Sequence, residues 1–192
     1  MLREKLKGFN VILASGSPRR QQFFKDLDID FTIQLKEIDE VYPNHLKGVE
    51  ITDYLADLKS KAFQNLKKED LLITSDTIVW LENRALGKPK NSNEAFNMLR
   101  SLSGKKHEVI TSISIKSKEF QTILNDTTVV SFKEISDEEI NYYIKNYKPF
   151  DKAGAYGIQE WIGFIAIDNL EGSYFNVVGL PVHKLYEELL KL

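Results

Sequence analysis

Nine polar side chains fall at the ends of apolar runs or in loops: Arg19, Arg20, Glu40, Lys61, Asp76, Lys88, Asp151, Lys152 and Gln159. α/β proteins assemble their sites at such positions. Several cations with a few carboxylates suit a polyphosphate held with a divalent metal. The sharpest local signal is Val11-Ile-Leu-Ala-Ser-Gly-Ser-Pro-Arg-Arg20. An apolar run enters a small, permissive Ser15-Gly16-Ser17 turn. Ser17 is a good N-cap and Pro18 suits the first helical position. Arg19 and Arg20 then sit where the helix dipole disfavours cations. A bound anion would compensate, drawing on backbone N–H groups and both guanidinium groups. Asp76 is the second signal. It interrupts an apolar strand pattern, where a carboxylate needs a partner, hydrogen bonds or a metal. The chain has neither a Walker A sequence nor a G-x-G-x-x-G motif, so any phosphate site is built another way.

The elements that must position these residues follow from pattern. Residues 11–14 form a first strand and 18–27 a helix, with Phe23, Phe24 and Leu27 buried. Residues 31–35 alternate as a strand, followed by an acidic loop through Glu40. A helix spans 48–66 with an apolar stripe of Ile51, Tyr54, Leu55, Leu58 and Ala62. Lys59 and Lys61 flank that stripe on opposite sides. Lys59 is expected to snorkel into solvent, while for Lys61 staying in water and reaching over a cleft edge stand as equal alternatives. Residues 71–81 read as a buried central strand. Asn91 to Glu94 caps a helix ending near Leu102, and Ser136 to Glu139 caps another that ends before Pro149. Residues 107–115 and 120–132 form an antiparallel pair. Asp151 to Gln159 is a glycine-containing loop suited to close ligand approach. Residues 162–167 and 174–178 are expected to form a hairpin around residues 169–172, and a helix over 180–192 closes the chain.

Composition bounds the rest. The chain has 192 residues, 42% hydrophobic and 28% charged, with a formal net charge of −2. That is enough for one sizeable globular domain, and it favours no nucleic-acid or membrane surface. No cysteine is present, which excludes disulfides and thiolate chemistry. The three histidines are far apart, so a metal here is expected to be a hard cation on oxygen ligands. His107 is expected to be structural. The charged N-terminus and the short first apolar run suit neither a signal peptide nor a membrane span. A cytoplasmic, soluble enzyme that handles phosphate is the expectation; the residues by themselves do not identify a substrate.

An ordered set of motifs carries a resemblance. Leu13-Ala-Ser-Gly-Ser-Pro-Arg-Arg20, Lys61-Ala62, Ser75-Asp-Thr-Ile-Val79, Gly87-Lys-Pro89, Leu102-Ser-Gly104, His107-Glu-Val-Ile-Thr111, Asp151-Lys-Ala-Gly-Ala-Tyr-Gly-Ile-Gln159 and Asn176-Val-Val-Gly-Leu-Pro181 span nearly the whole chain. It resembles the Maf family of nucleoside triphosphate pyrophosphatases. The resemblance implies one such domain over residues 1–192. It implies an α/β fold, with a strongly twisted mixed sheet flanked by helices and two lobes around a central cleft. It implies hydrolysis of a nucleoside triphosphate to the monophosphate and pyrophosphate with Mg²⁺ or Mn²⁺. Asp76 would be the catalytic carboxylate, accepting a proton from water or holding the metal, and Glu40 a second metal ligand. Ser15, Arg19, Arg20, Lys61, Lys88 and Lys152 would bind substrate. The Tyr-Gly-Ile-Gln ending resembles the branch acting on dTTP and UTP, with Gln159 at the base edge and Thr77 and Arg19 tied to substrate choice. A homodimer is left open. Glu160-Trp161 departs from the glycine usual after this glutamine. Competing expectations are a pyrophosphatase for non-standard purine or methylated GTP nucleotides, and a non-catalytic nucleotide-binding regulator of cell division.

Overall fold

The computed structural model describes residues 1–192. The chain folds, in order, as α1 (Leu2–Lys5), β1 (Asn10–Leu13), α2 (Pro18–Asp26), β2 (Thr32–Ile33), α3 (Val49–Lys61), β3 (Asp70–Leu81) and β4 (Arg84–Leu86). It continues as α4 (Ser92–Leu102), β5 (Lys106–Lys116), β6 (Gln121–Phe132), α5 (Asp137–Tyr147), α6 (Trp161–Ala166), β7 (Ile167–Glu171), α7 (Tyr174–Val178) and α8 (Val182–Leu189). A short 3₁₀ turn, Ala153–Ala155, precedes α6. The strands form one mixed sheet in the order β2-β1-β3-β5-β6-β7, with β4 paired to β3. No helix is long and apolar enough to cross a membrane.

Contacts divide the chain into two compact units. The first comprises Met1–Asp76, Thr111–Asp126 and Gly179–Leu192; the second comprises Thr77–Ile110 and Thr127–Val178. In the first unit β1 pairs in parallel with both β2 and β3, aligning Leu13 with Ile33 and Ile73. Val11, Leu13, Leu71 and Ile73 recur with the strand period of two, and they pack with Phe24, Ile113, Leu180, Leu185 and Leu189 in one core. Ile12 and Leu72 face the other way, onto Phe63.

The second unit has its own core around Val79, Leu99, Val130, Phe132, Ile140, Tyr143 and Tyr156. The β3–β4 hairpin turns at Glu82 and Asn83, both with positive φ. Asn91 caps α4 by accepting from the Glu94 N–H at 2.9 Å. Ser136 and Glu139 form the expected capping box of α5. His107 is a core residue: it lies 2.8 Å from the Tyr156 hydroxyl and edge-on to Phe132. Burial lowers its pKa to about 4, so it is neutral at pH 7.

Several expectations are corrected. The helix expected to reach residue 66 ends at Lys61, and the strand expected over 31–35 pairs only at Thr32–Ile33. The expected hairpin over 162–178 is α6, then strand β7, then α7. Ile162 and Ala166 are four apart and both fully buried, which is helical spacing that an apolar run disguised. Gly163 lets this helix close on the preceding chain: a Cβ there would stand 1.9 Å from the Ile158 carbonyl oxygen.

Gly154 is a second enforced glycine. Its φ is +66°, and a Cβ would meet Val79 Cγ2 at 2.7 Å. Its N–H donates to the Gly87 carbonyl at 3.0 Å, whereas a Cβ on Gly87 would meet nothing within 4 Å. Gly154→Ala should therefore destabilise by about 2–4 kcal/mol, from left-handed backbone strain plus overpacking. Gly87→Ala should stay within about 0.5 kcal/mol. Denaturant unfolding of the two variants checks this contrast.

Candidate active site

The first unit gathers Ser15, Arg19, Arg20, Glu40 and Asp76, together with one residue expected to lie in solvent. Thr74 and Asp76 lie on the same face of β3. The Thr74 hydroxyl donates to the Ala56 carbonyl of α3 at 2.6 Å, clamping helix to strand. Lys59 follows Ala56 by three residues, on the face that also buries Leu55 and Thr52. Its ammonium is therefore delivered to Asp76, at 2.5 Å. Glu40 approaches the same nitrogen at 3.0 Å. The Asp76 and Lys59 side chains are 9% and 15% exposed, that of Glu40 46%.

Lys59, expected in solvent, is therefore the more buried of the two lysines. Lys61 is 67% exposed and pairs with Asp57 one turn earlier, at 2.6 Å. That bond raises its pKa. The structure does not bring Lys61 to Asp76. The apolar stripe alone could not choose between two lysines on its flanks. The informative signal is the offset from Leu55 and Ala56, which puts residue 59 inside and residue 61 outside.

The anion-cradle turn is built as its sequence suggests. The Ser17 hydroxyl accepts from the Arg20 N–H at 3.5 Å, and Ser15 Oγ accepts from the Ser17 N–H at 3.3 Å. Gln21 Nε2 holds the Ser15 carbonyl at 3.2 Å. α2 begins at Pro18 with no acidic residue in its first turn. Arg20 is fixed by main chain: Nε donates to the Gly179 carbonyl at 2.8 Å and an Nη to the Ser75 carbonyl at 3.0 Å. Burial lowers its pKa to about 10, offset in part by the charges of Asp76 and Glu40. Arg20 stays cationic at pH 7, locked against the residue that precedes Asp76. Arg19 is half-buried in the same turn.

Burial raises the Asp76 pKa above the ordinary carboxylate range, and Glu40 pushes the same way. Lys59 and Arg20 oppose them by favouring the anion. An ionised carboxylate beside an ammonium, poised upward by burial, is a serviceable proton acceptor. Asp76 and Glu40 also converge on one cation position, which the Lys59 ammonium fills. No group of three or more His, Asp or Glu residues gathers here. Magnesium is commonly held by one or two carboxylates with substrate phosphates completing the shell. The pair supplies oxygen donors of the type a hard divalent cation takes, though only two of them.

The second unit holds Thr77, Lys88, Lys152 and Gln159. Thr77 is half-buried in β3, immediately after Asp76, with its side chain on the opposite face. Lys88 is exposed in the loop that Gly154 ties down through Gly87. Lys152 is buried, and its ammonium lies 2.7 Å from Asp151 and 3.0 Å from Glu160. Glu160 also accepts the Tyr143 hydroxyl. Glu160 and Tyr143 were not among the expected site residues; the departure from glycine at position 160 was the available signal. Gln159 Oε1 is buried and finds no donor in the chain.

The family model described as Maf-like protein matches residues 10–192. A Flavobacterium johnsoniae protein named dTTP/UTP pyrophosphatase is 62% identical over 193 residues, covering 100% of each chain. A Flavobacterium psychrophilum protein with the same name is 60% identical, covering 99% of this chain and 98% of its own. Among solved structures, a HAM1 protein from Coxiella burnetii aligns with a TM-score of 0.53 at 15% identity, covering 96% of this chain and 100% of its own. That last likeness is one of fold alone. Matched by the family model over all but its first nine residues, and by these relatives over almost its full length, the chain belongs to the Maf-like protein family.

Proposed function

We propose that the chain is a cytoplasmic nucleoside triphosphate pyrophosphatase that hydrolyses dTTP and UTP to the monophosphate and pyrophosphate. The observation that carries this is the Lys59-held pair Asp76 and Glu40, beside an Arg20 locked to the backbone next to Asp76. The full-length likeness to proteins named dTTP/UTP pyrophosphatase supports the substrate class.

In this mechanism water attacks the α-phosphorus. Asp76 takes a proton from the water as the new P–O bond forms, and the bond from the α-phosphorus to the bridging oxygen breaks, with pyrophosphate leaving. Arg19, Arg20 and Lys59 offset charge on the phosphates, and the Gly16 backbone, at the tip of the Ser15 to Ser17 turn, approaches them without a side chain. Lys88 adds a cation. A divalent metal, when bound, would neutralise phosphate charge and lower the pKa of water, with Asp76 and Glu40 as its protein ligands. Gln159 reads the base edge, as an amide offers both donor and acceptor. Thr77 and Arg19 contribute to substrate choice. Lys152 holds its loop together, through Asp151 and Glu160, more directly than it can meet phosphate.

A nucleotide panel assayed for pyrophosphate release should rank dTTP and UTP above CTP, ITP and methylated GTP; a best rate on ITP or methylated GTP would contradict the substrate class. Asp76→Asn should lower kcat about 10³-fold with the fold intact by circular dichroism. Lys59→Met should lose about 10²-fold and Lys61→Met less than about twofold. Activity requires ionised Asp76, so kcat/KM should fall as pH drops through a pKa above the usual carboxylate value. Lys59→Met removes a charge that lowers this pKa, so the acidic limb should move to still higher pH. EDTA should abolish turnover, and Mg²⁺ or Mn²⁺ should restore it.

A further inference from the structure

A second set of charges, in the second unit, is not used by chemistry at Asp76. Glu160 is its centre. One carboxylate oxygen lies 3.0 Å from the buried Lys152 ammonium, and the other accepts the Tyr143 hydroxyl. That hydroxyl in turn accepts the Gly157 N–H at 3.1 Å, while the Glu160 N–H donates to the Gly157 carbonyl at 3.0 Å. Both polar groups of the Gly157 backbone are thus tied, directly or through Tyr143, to Glu160. Burial raises the Tyr143 pKa, with Glu160 adding to the effect, so the hydroxyl remains a donor.

The direction of the Glu160 side chain is unusual for its place. It occupies the N-cap position of α6, where an acidic side chain ordinarily accepts from free helix N–H groups. It makes no such bond. The carboxylate is committed to Lys152 and Tyr143 instead.

Gln159 is the neighbour affected. A Cβ on Gly157 would stand 2.9 Å from Gln159 Nε2, 3.0 Å from Glu160 Cδ and 3.0 Å from Lys152 Cε. Three side chains therefore share the space that the glycine leaves. Among them is an amide whose Oε1 has no donor, and an ammonium with three donors held by two carboxylates. The amide oxygen is thus an acceptor in the same space as that ammonium, and the Glu160 carboxylate is the acceptor that takes its place.

We propose that Glu160 is a positioning residue for base selection: it holds Lys152 away from Gln159 and fixes the Gly157 turn, leaving the amide oxygen for the ring N–H of uracil or thymine. The inference rests on the dTTP/UTP assignment above. Uracil and thymine present an imide N–H at N3, whereas cytosine presents an acceptor there. An unoccupied amide oxygen favours the first two, and one already taken by Lys152 favours neither.

The test is calorimetric binding of α,β-imido-UTP and α,β-imido-CTP, which resist cleavage, to wild type, Glu160→Gln and the double variant Lys152→Met/Glu160→Gln. Wild type should prefer the uracil analogue, and Glu160→Gln should lower that preference about tenfold. The double variant removes the competing ammonium and should regain the preference to within about twofold, a rescue that a merely structural role would not give. In turnover, Glu160→Gln should raise KM for UTP about tenfold while kcat changes less than about threefold. Tyr143→Phe, which strands no buried charge, should shift the preference the same way by about threefold and serves if Glu160→Gln does not fold. A Glu160→Gln protein that keeps the wild-type preference, or a double variant no better than the single one, overturns the proposal alone. A wild type that binds both analogues equally overturns the proposal and the dTTP/UTP assignment together.

Discussion

A lysine ammonium held between two carboxylates is the contact around which the first unit's candidate site is built. Lys59 and Asp76 are both largely removed from water, and neither is tolerable there without the other. Removing one partner of such a pair costs about 3–5 kcal/mol, yet well-packed apolar residues in place of both are often neutral or better. The pair is thus a poor device for stability and an apt one for chemistry. The neighbouring contacts serve it. Thr74 clamps β3 to the Ala56 carbonyl, which sets the height of α3, and Glu40 supplies the second carboxylate from the loop after β2.

Arg20 shows how the chain resolves a cation at the wrong end of a helix. Its guanidinium is anchored on two main-chain carbonyls, one at Gly179 and one at Ser75. Those bonds offset desolvation and fix the charge beside Asp76. The same guanidinium lowers the Asp76 pKa against the larger upward push of burial. Position and electrostatics therefore come from one set of hydrogen bonds.

Much of this was legible in the sequence because the signals were local. The Ser17 cap, Pro18, the Ser136 capping box and the interruption of β3 by Asp76 each depend on a few consecutive residues, and each stands as expected. What failed depended on contacts distant in sequence. Choosing Lys59 over Lys61 needed the register of α3 on β3, which the Thr74–Ala56 bond sets. Residues 162–167 and 174–178 read as strands because their apolar residues run together; all but Ile167 lie in helices α6 and α7, where Gly163 closes on Ile158 and a buried Asn176 bonds to Val109 and Thr128. Glu160 looked like an intruder beside Gln159. Only its bonds to Tyr143 and Lys152 reveal a carboxylate that organises the turn.

In the proposed reaction, water is activated at Asp76 and directed at the α-phosphorus. Hydrolysis of UTP in ¹⁸O-labelled water, with mass analysis of both products, tests this most directly. One labelled oxygen is expected on the nucleoside monophosphate and none on pyrophosphate, with the labelled product lost in Asp76→Asn. Label on pyrophosphate, or release of orthophosphate in its place, would contradict that reaction.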